Sequence, residues 1–89
     1  MKVLTYGLKY EPERLEWVAV EATKYDDVGN PISWAIRKGG YCMSKLTGKF
    51  DYEPRPSSRG ESFITEYRFS TPEQAKECWQ KFHSQNQTK

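Results

Sequence analysis

The chain has 89 residues, 36% of them hydrophobic and 15% aromatic, and its 14 basic and 12 acidic side chains leave a net charge of +2. That length implies one domain, and no run of 18 apolar residues exists to span a membrane. A charge this small lacks the strong positive field of a dedicated nucleic-acid binder, and two cysteines, Cys42 and Cys78, are too few for a disulfide framework.

The opening "MKVLTYGLKYEPERLEW" has no continuous apolar stretch, so no signal peptide is expected and the chain reads as cytoplasmic. The two cysteines then read as free thiols. Val3–Leu8 predicts a short strand. In Leu15–Tyr25, Leu15, Trp17 and Ala19 fall on one side and Val18, Val20 and Ala22 on the other, which predicts a central strand partly covered on both faces. Asp26–Pro31 ("DDVGNP") is a turn cluster. Ile32–Lys38 alternates, with Ile32, Trp34 and Ile36 set against Ser33, Ala35 and Arg37, as in a half-buried strand. Gly39-Gly40 suits a hairpin turn, Tyr41–Lys45 forms the return strand, and "LTGK" turns again into Lys49–Glu53. Residues 32–53 therefore read as an antiparallel meander.

Pro54 and Pro56 have no N–H to give a ladder, so the sheet stops there. Residues 58–65 are open between strand, loop and short helix. Ser58 with Glu61 fits a capping box, and Phe63, Ile64 and Tyr67 fit a helix face. The alternation of Phe63, Thr65, Tyr67 and Phe69 favours a strand over Glu66–Phe69. The last element is a helix over Pro72–Ser84. Thr71 is its N-cap, Pro72 its first residue, and Ala75, Cys78, Trp79 and Phe82 form one apolar stripe. Residues 85–89 form a frayed polar tail. The expected fold is α+β: a small antiparallel β-sheet of about four or five strands with one C-terminal α-helix packed on one face. It forms a single domain over residues 1–84, with Trp79 and Phe82 packing on Trp17 or Trp34.

The sequence carries little catalytic signal. His83 lies five residues after Cys78, off its helix face, and Cys78 belongs to the apolar stripe, so no nucleophile–base pair forms. Cys42, Cys78 and His83 supply at most three of the four ligands a structural zinc site needs, and no C-x-x-C pair is present. No catalytic residue, metal site or cofactor is expected. Charge is unevenly spread. Residues 1–34 carry net −2, residues 35–60 net +4, and residues 61–89 net zero. Arg37, Lys38, Lys45, Lys49, Arg55 and Arg59 share the middle third with Tyr41 and Tyr52. Aromatic rings beside bases on a sheet mark single-strand binders, so a nucleic-acid-binding accessory role for the basic zone 37–59 is the alternative function.

The segment "WAIRKGGYCMSK…GKFDYEPRPSSR…F…YRFSTPEQA" carries a further signal. Trp34, Ile36, Gly40, Cys42 and Lys45 are followed by Tyr52-Glu53-Pro54-x-Pro56-Ser57-Ser58-Arg59 and then by Arg68, Phe69, Glu73 and Ala75. This pattern, over residues 34–76, resembles a loose group of small uncharacterised proteins encoded mainly by bacteriophages. The chain departs from the group at Gly60, where an acid is expected, and in the length of the Ser44–Lys49 turn. The resemblance implies a phage context and no mechanism. It points to a non-enzymatic binding protein acting in the bacterial cytoplasm on a host protein, as inhibitor or modulator, including of a host defence system. The expected contact residues are Arg55, Ser57, Ser58 and Arg59 on the proline-stiffened loop, with Lys49, Arg37 and Lys38 beside them, because prolines hold such side chains outward at reduced entropic cost. On the competing structural reading the prolines stiffen the meander's exit and Arg59 pairs with Glu53 or Glu61.

Overall fold

The computed structural model describes residues 4–83. Five strands form one antiparallel sheet in simple meander order: β1 (Thr5–Glu11), β2 (Glu16–Tyr25), β3 (Pro31–Lys38), β4 (Tyr41–Met43) and β5 (Phe50–Tyr52). A 3₁₀ turn at Pro56–Ser58 leads to helix α1 (Glu61–Tyr67), and helix α2 (Pro72–His83) follows. The α+β class and the meander match expectation, but there are two helices where one was expected. Val3, Ser84 and the tail 85–89 lie outside the described residues.

The turns follow their residue chemistry. Between β2 and β3, Asp26 Oδ1 accepts hydrogen bonds from the backbone N–H groups of Val28 (3.0 Å) and Asn30 (2.8 Å). Gly39 opens the β3–β4 hairpin at φ 60°. Gly48, at φ 74°, has a second constraint: a Cβ there would lie 2.4 Å from the Phe82 ring, so only a bare backbone lets α2 settle against this turn.

Strand alternation divides the sheet into two unlike faces. On the first, Val18, Val20, Trp34, Ile36 and Met43 join Phe69 and Ala75 in the buried core, and Tyr6, Leu8, Phe50, Cys78, Trp79 and Phe82 pack around them. Helix α2 lies across β2 and β3 here. Thr71 caps it by accepting the Gln74 N–H at its Oγ1 (3.1 Å), while the Gln74 side chain reaches back to the Ser70 N–H (3.2 Å). The apolar stripe thus does what its spacing predicts. Trp17 does not join it. It lies on the opposite side of β2 from Val18 and Val20, so the α2 stripe packs on the side of Trp34 instead.

Residues 61–67 are helical, which corrects the expected strand over Glu66–Phe69. Gly60 rather than Ser58 is the N-cap, and no side-chain cap forms. A seven-residue helix is marginal by itself, and this one is pinned at its C-terminal turn. Glu66 Oε2 accepts from Ser44 Oγ (2.6 Å), and Tyr67 Oη donates to Asp51 Oδ2 (2.6 Å). Phe63 and Tyr67, one turn apart, stack at 4.7 Å. The strand signal survives at a single residue, where Phe69 exchanges two 2.8 Å backbone hydrogen bonds with Trp34.

Candidate functional site

The second sheet face is itself divided. Over β3, β4 and β5 lies the segment from Pro54 to Arg68. Over β1 and β2 no other element of the described residues lies.

The covered half is held by charge. Glu53, at the end of β5, has a side chain only 8% exposed. Arg37 donates to it in bidentate fashion, Nε to Oε1 at 2.8 Å and Nη2 to Oε2 at 2.6 Å. Arg59 Nη2 lies 2.9 Å from Oε2, and Arg68 Nη2 donates to the same oxygen. Arg68 is itself buried, with a side-chain exposure of 4%. Glu21 also reaches Arg37, at 3.4 Å. Among the described residues, no buried side-chain polar atom lacks a hydrogen-bond partner, so this cluster is closed. Burial pushes the Glu53 carboxyl up, but the Arg37 hydrogen bond and the charges of Arg68 and Arg37 outweigh it and hold the group below its ordinary range. Donating to Glu53 raises Arg37 in turn.

The proline-rich stretch is the chain's route across this cluster. Arg59 Nε donates to the carbonyl of Pro54 (2.8 Å), closing the loop on itself, and the same guanidinium meets Glu53. Of the expected contact residues, Arg59 and Arg37 are therefore internal latches. Lys38 is paired with Glu11 at 3.7 Å and sits over the Phe50 ring at 4.8 Å. Arg55, Ser57, Ser58 and Lys49 are exposed. The fold does not gather all seven side chains into one outward patch.

Cys42 is buried under this half, and burial pushes its thiol up, with Glu53 acting in the same direction. Cys78 rises for the same first reason. Both therefore stay protonated, which opposes nucleophilic use. His83 stacks on Trp79 at 4.2 Å and its Nε2 lies 2.9 Å from the Gly48 carbonyl, so it braces the end of α2. Among the described residues no three His, Cys, Asp or Glu side chains come together as a metal set. No helix among them is long and apolar enough to cross a membrane.

The open half has a different character. Trp17 is 56% exposed. Its indole lies against Gly7, where a Cβ would come within 3.0 Å of the ring, and its centroid is 5.3 Å from that of Tyr10. Thr5, Gly7, Trp17, Ala19 and Glu21 line a shallow cavity of about 400 Å³. Beside it the β1–β2 turn displays Leu15, 79% exposed and held at φ 54°. A leucine in the left-handed region is strained, since that conformation favours glycine or asparagine. The sequence left Trp17 and Trp34 as alternative partners for the α2 stripe and implied partial cover on both faces of β2; of the two, Trp34 is the buried one. The missed signal was Gly7, a residue with no side chain on the strand beside it, which leaves room for a ring to lie flat on the surface.

Fold and site together define a small open-faced α+β domain with an exposed aromatic platform. Comparison with protein-family models, with curated proteins and with solved structures gives no match.

Proposed function

We propose that this chain is a non-enzymatic binding protein that engages a partner protein through the open half of its second sheet face, with Trp17 as the anchor and Tyr10 and Leu15 beside it. The observation that carries this is the exposure of Trp17 over a cavity, on a strand whose opposite face places Val18 and Val20 in the buried core. Tryptophan and tyrosine dominate binding hot spots because they remove much apolar area at small entropic cost. The strained, outward Leu15 supports the same reading. The resemblance of residues 34–76 to phage-encoded proteins supports a bacterial host protein as the partner, met in the cytoplasm. Arg55, Ser57 and Ser58 are then a secondary contact.

The nucleic-acid alternative requires rings and free cations together. At the Trp17 platform the cavity is lined by Glu21 and by no cation among the described residues, and Arg37 and Arg59 are spent on Glu53, which favours a protein partner at that face. The exposed Tyr41 and Tyr52 are the rings the alternative would use.

Capture from bacterial lysate followed by mass spectrometry tests the proposal when run with wild type, Trp17→Ala and Arg55→Ala. A protein retained by wild type and lost with Trp17→Ala supports it. Retention lost only with Arg55→Ala moves the contact to the proline loop. Salt-sensitive retention on single-stranded oligonucleotides, with no protein captured, supports the alternative.

A further inference from the structure

A second concave feature lies where the linker between the two helices crosses the sheet. Lys24 from β2, Ser33 from β3, Lys45 after β4, and Arg68 and Ser70 on either side of Phe69 line a cavity of about 380 Å³. It runs into a neighbouring one of about 400 Å³ that shares Lys24, Ser33 and Arg68 and adds Arg59. Four cations and at least two hydroxyls face this groove, and among the described residues no carboxylate lines either part of it. Glu53, which neutralises Arg59 and Arg68, sits outside the lining.

The backbone holds the groove in place. Phe69 is bonded to Trp34 through both its N–H and its carbonyl at 2.8 Å, and the Lys45 N–H donates to the Glu66 carbonyl at 3.0 Å. Arg68 is therefore fixed. Lys24 has no ion pair among the described residues, and Lys45 has only the Phe69 ring, 5.0 Å from its Nζ. Two lysines without a carboxylate partner beside hydroxyl donors match a tetrahedral dianion, which accepts several charge-assisted hydrogen bonds at once. Ile32 and Ile64 wall the same cavity and are each 45% exposed, which gives a carbon substituent an apolar surface.

We infer that this groove is a binding site for a phosphomonoester, with Lys24 and Lys45 on the phosphate, Ser33 and Ser70 donating to it, Arg68 held by Glu53 in the wall, and Ile32 and Ile64 against its organic group. The site is separate from the Trp17 platform and does not depend on it.

Backbone amide NMR of the full chain tests this with three probes: inorganic phosphate, butyl phosphate, and a short phosphoserine peptide beside its unphosphorylated form. Butyl phosphate is expected to give saturable shifts centred on Ser33, Lys45 and Ser70 and to bind more tightly than inorganic phosphate. Lys24→Ala and Lys45→Ala should each weaken it by about tenfold, roughly the loss of one charge-assisted hydrogen bond, while Lys49→Ala leaves it unchanged. Lys24 is exposed and Lys45 half-buried, and Lys→Gln at the same positions serves if an alanine variant loses its native spectrum. Tighter binding of the phosphopeptide than of butyl phosphate assigns the site to phosphorylated protein, and the reverse assigns it to a free small phosphomonoester. Shifts spread evenly over the chain's basic residues, or no loss on replacing Lys24 and Lys45, overturn the site. Inorganic phosphate binding as tightly as butyl phosphate overturns the monoester assignment.

Discussion

The two faces of this sheet are covered by opposite chemistries. On one, α2 is held by tryptophan, phenylalanine, isoleucine and methionine, with shape complementarity sharp enough to require a glycine at position 48. On the other, the Pro54–Arg68 segment is held by Glu53 among three guanidinium groups and by the Ser44–Glu66 and Tyr67–Asp51 hydrogen bonds. A domain of this size buries roughly 60–70% of its unfolded surface. Its aliphatic content cannot supply two apolar layers, so the second layer is built from ion pairs. Ion pairs cover less area than a helix, and among the described residues the sheet beyond them, over β1 and β2, stays open. The exposed Trp17 is thus a consequence of how the domain divides its few apolar side chains.

The largest effect should come from the apolar face. Trp34→Ala removes a fully buried ring and is expected to cost about 3–5 kcal/mol, enough to leave the chain largely unfolded by far-UV circular dichroism at 25 °C. A cooperative melt close to that of wild type would show that α2 is not what holds the sheet.

Next comes the ionic face. Glu53→Ala strands the buried Arg68 without its counter-charge and should cost about 3 kcal/mol, measured by urea unfolding. Glu53→Gln separates charge from shape. The folded carboxyl sits below its ordinary value of 4.5, so its contribution is present above that pH and is lost as pH falls through the lower folded value. Wild type should therefore lose stability on acidification below about pH 4.5, and Glu53→Gln should lose less over the same range. Equal acid sensitivity of the two proteins would break the ionic account of this face.

Gly48→Ala tests how closely the apolar face is fitted. It combines a positive φ with a collision at Phe82, and about 2–3 kcal/mol of destabilisation is expected. A double variant, Gly48→Ala with Phe82→Leu, should recover part of it. Trp17→Ala should have the smallest effect, about 0.5 kcal/mol or less in urea unfolding, as is usual for surface changes away from packed features. A loss comparable to that of Trp34→Ala would make Trp17 a structural residue and remove the basis for the open-face contact.

Part of this fold is legible in the sequence. The alternation in β2 and β3, the Asp26–Pro31 turn, the Gly39-Gly40 hairpin and the capped stripe of α2 all depend on neighbours within a few residues, and all appear as expected. Helix α1 does not yield to the same reasoning. Its residues alternate like a strand, and its helical form follows from hydrogen bonds to Ser44 and Asp51, which stand 22 and 16 positions away. The proline loop was legible as a stiff connector with Arg59 available to Glu53 or Glu61. That it meets Glu53, together with Arg37 and Arg68, depends on how β5 and the helix linker lie over β3.

The same division holds for the sites. Composition and local pattern were sufficient to establish an aromatic-rich α+β meander with a C-terminal helix, because period, turn chemistry and capping act over one or two turns of chain. Which tryptophan is buried, which arginines are neutralised, and where Lys24, Ser33, Lys45 and Ser70 converge are long-range outcomes. They were decided when a short segment with too few apolar side chains settled by its charges over half of one face, leaving the other half uncovered.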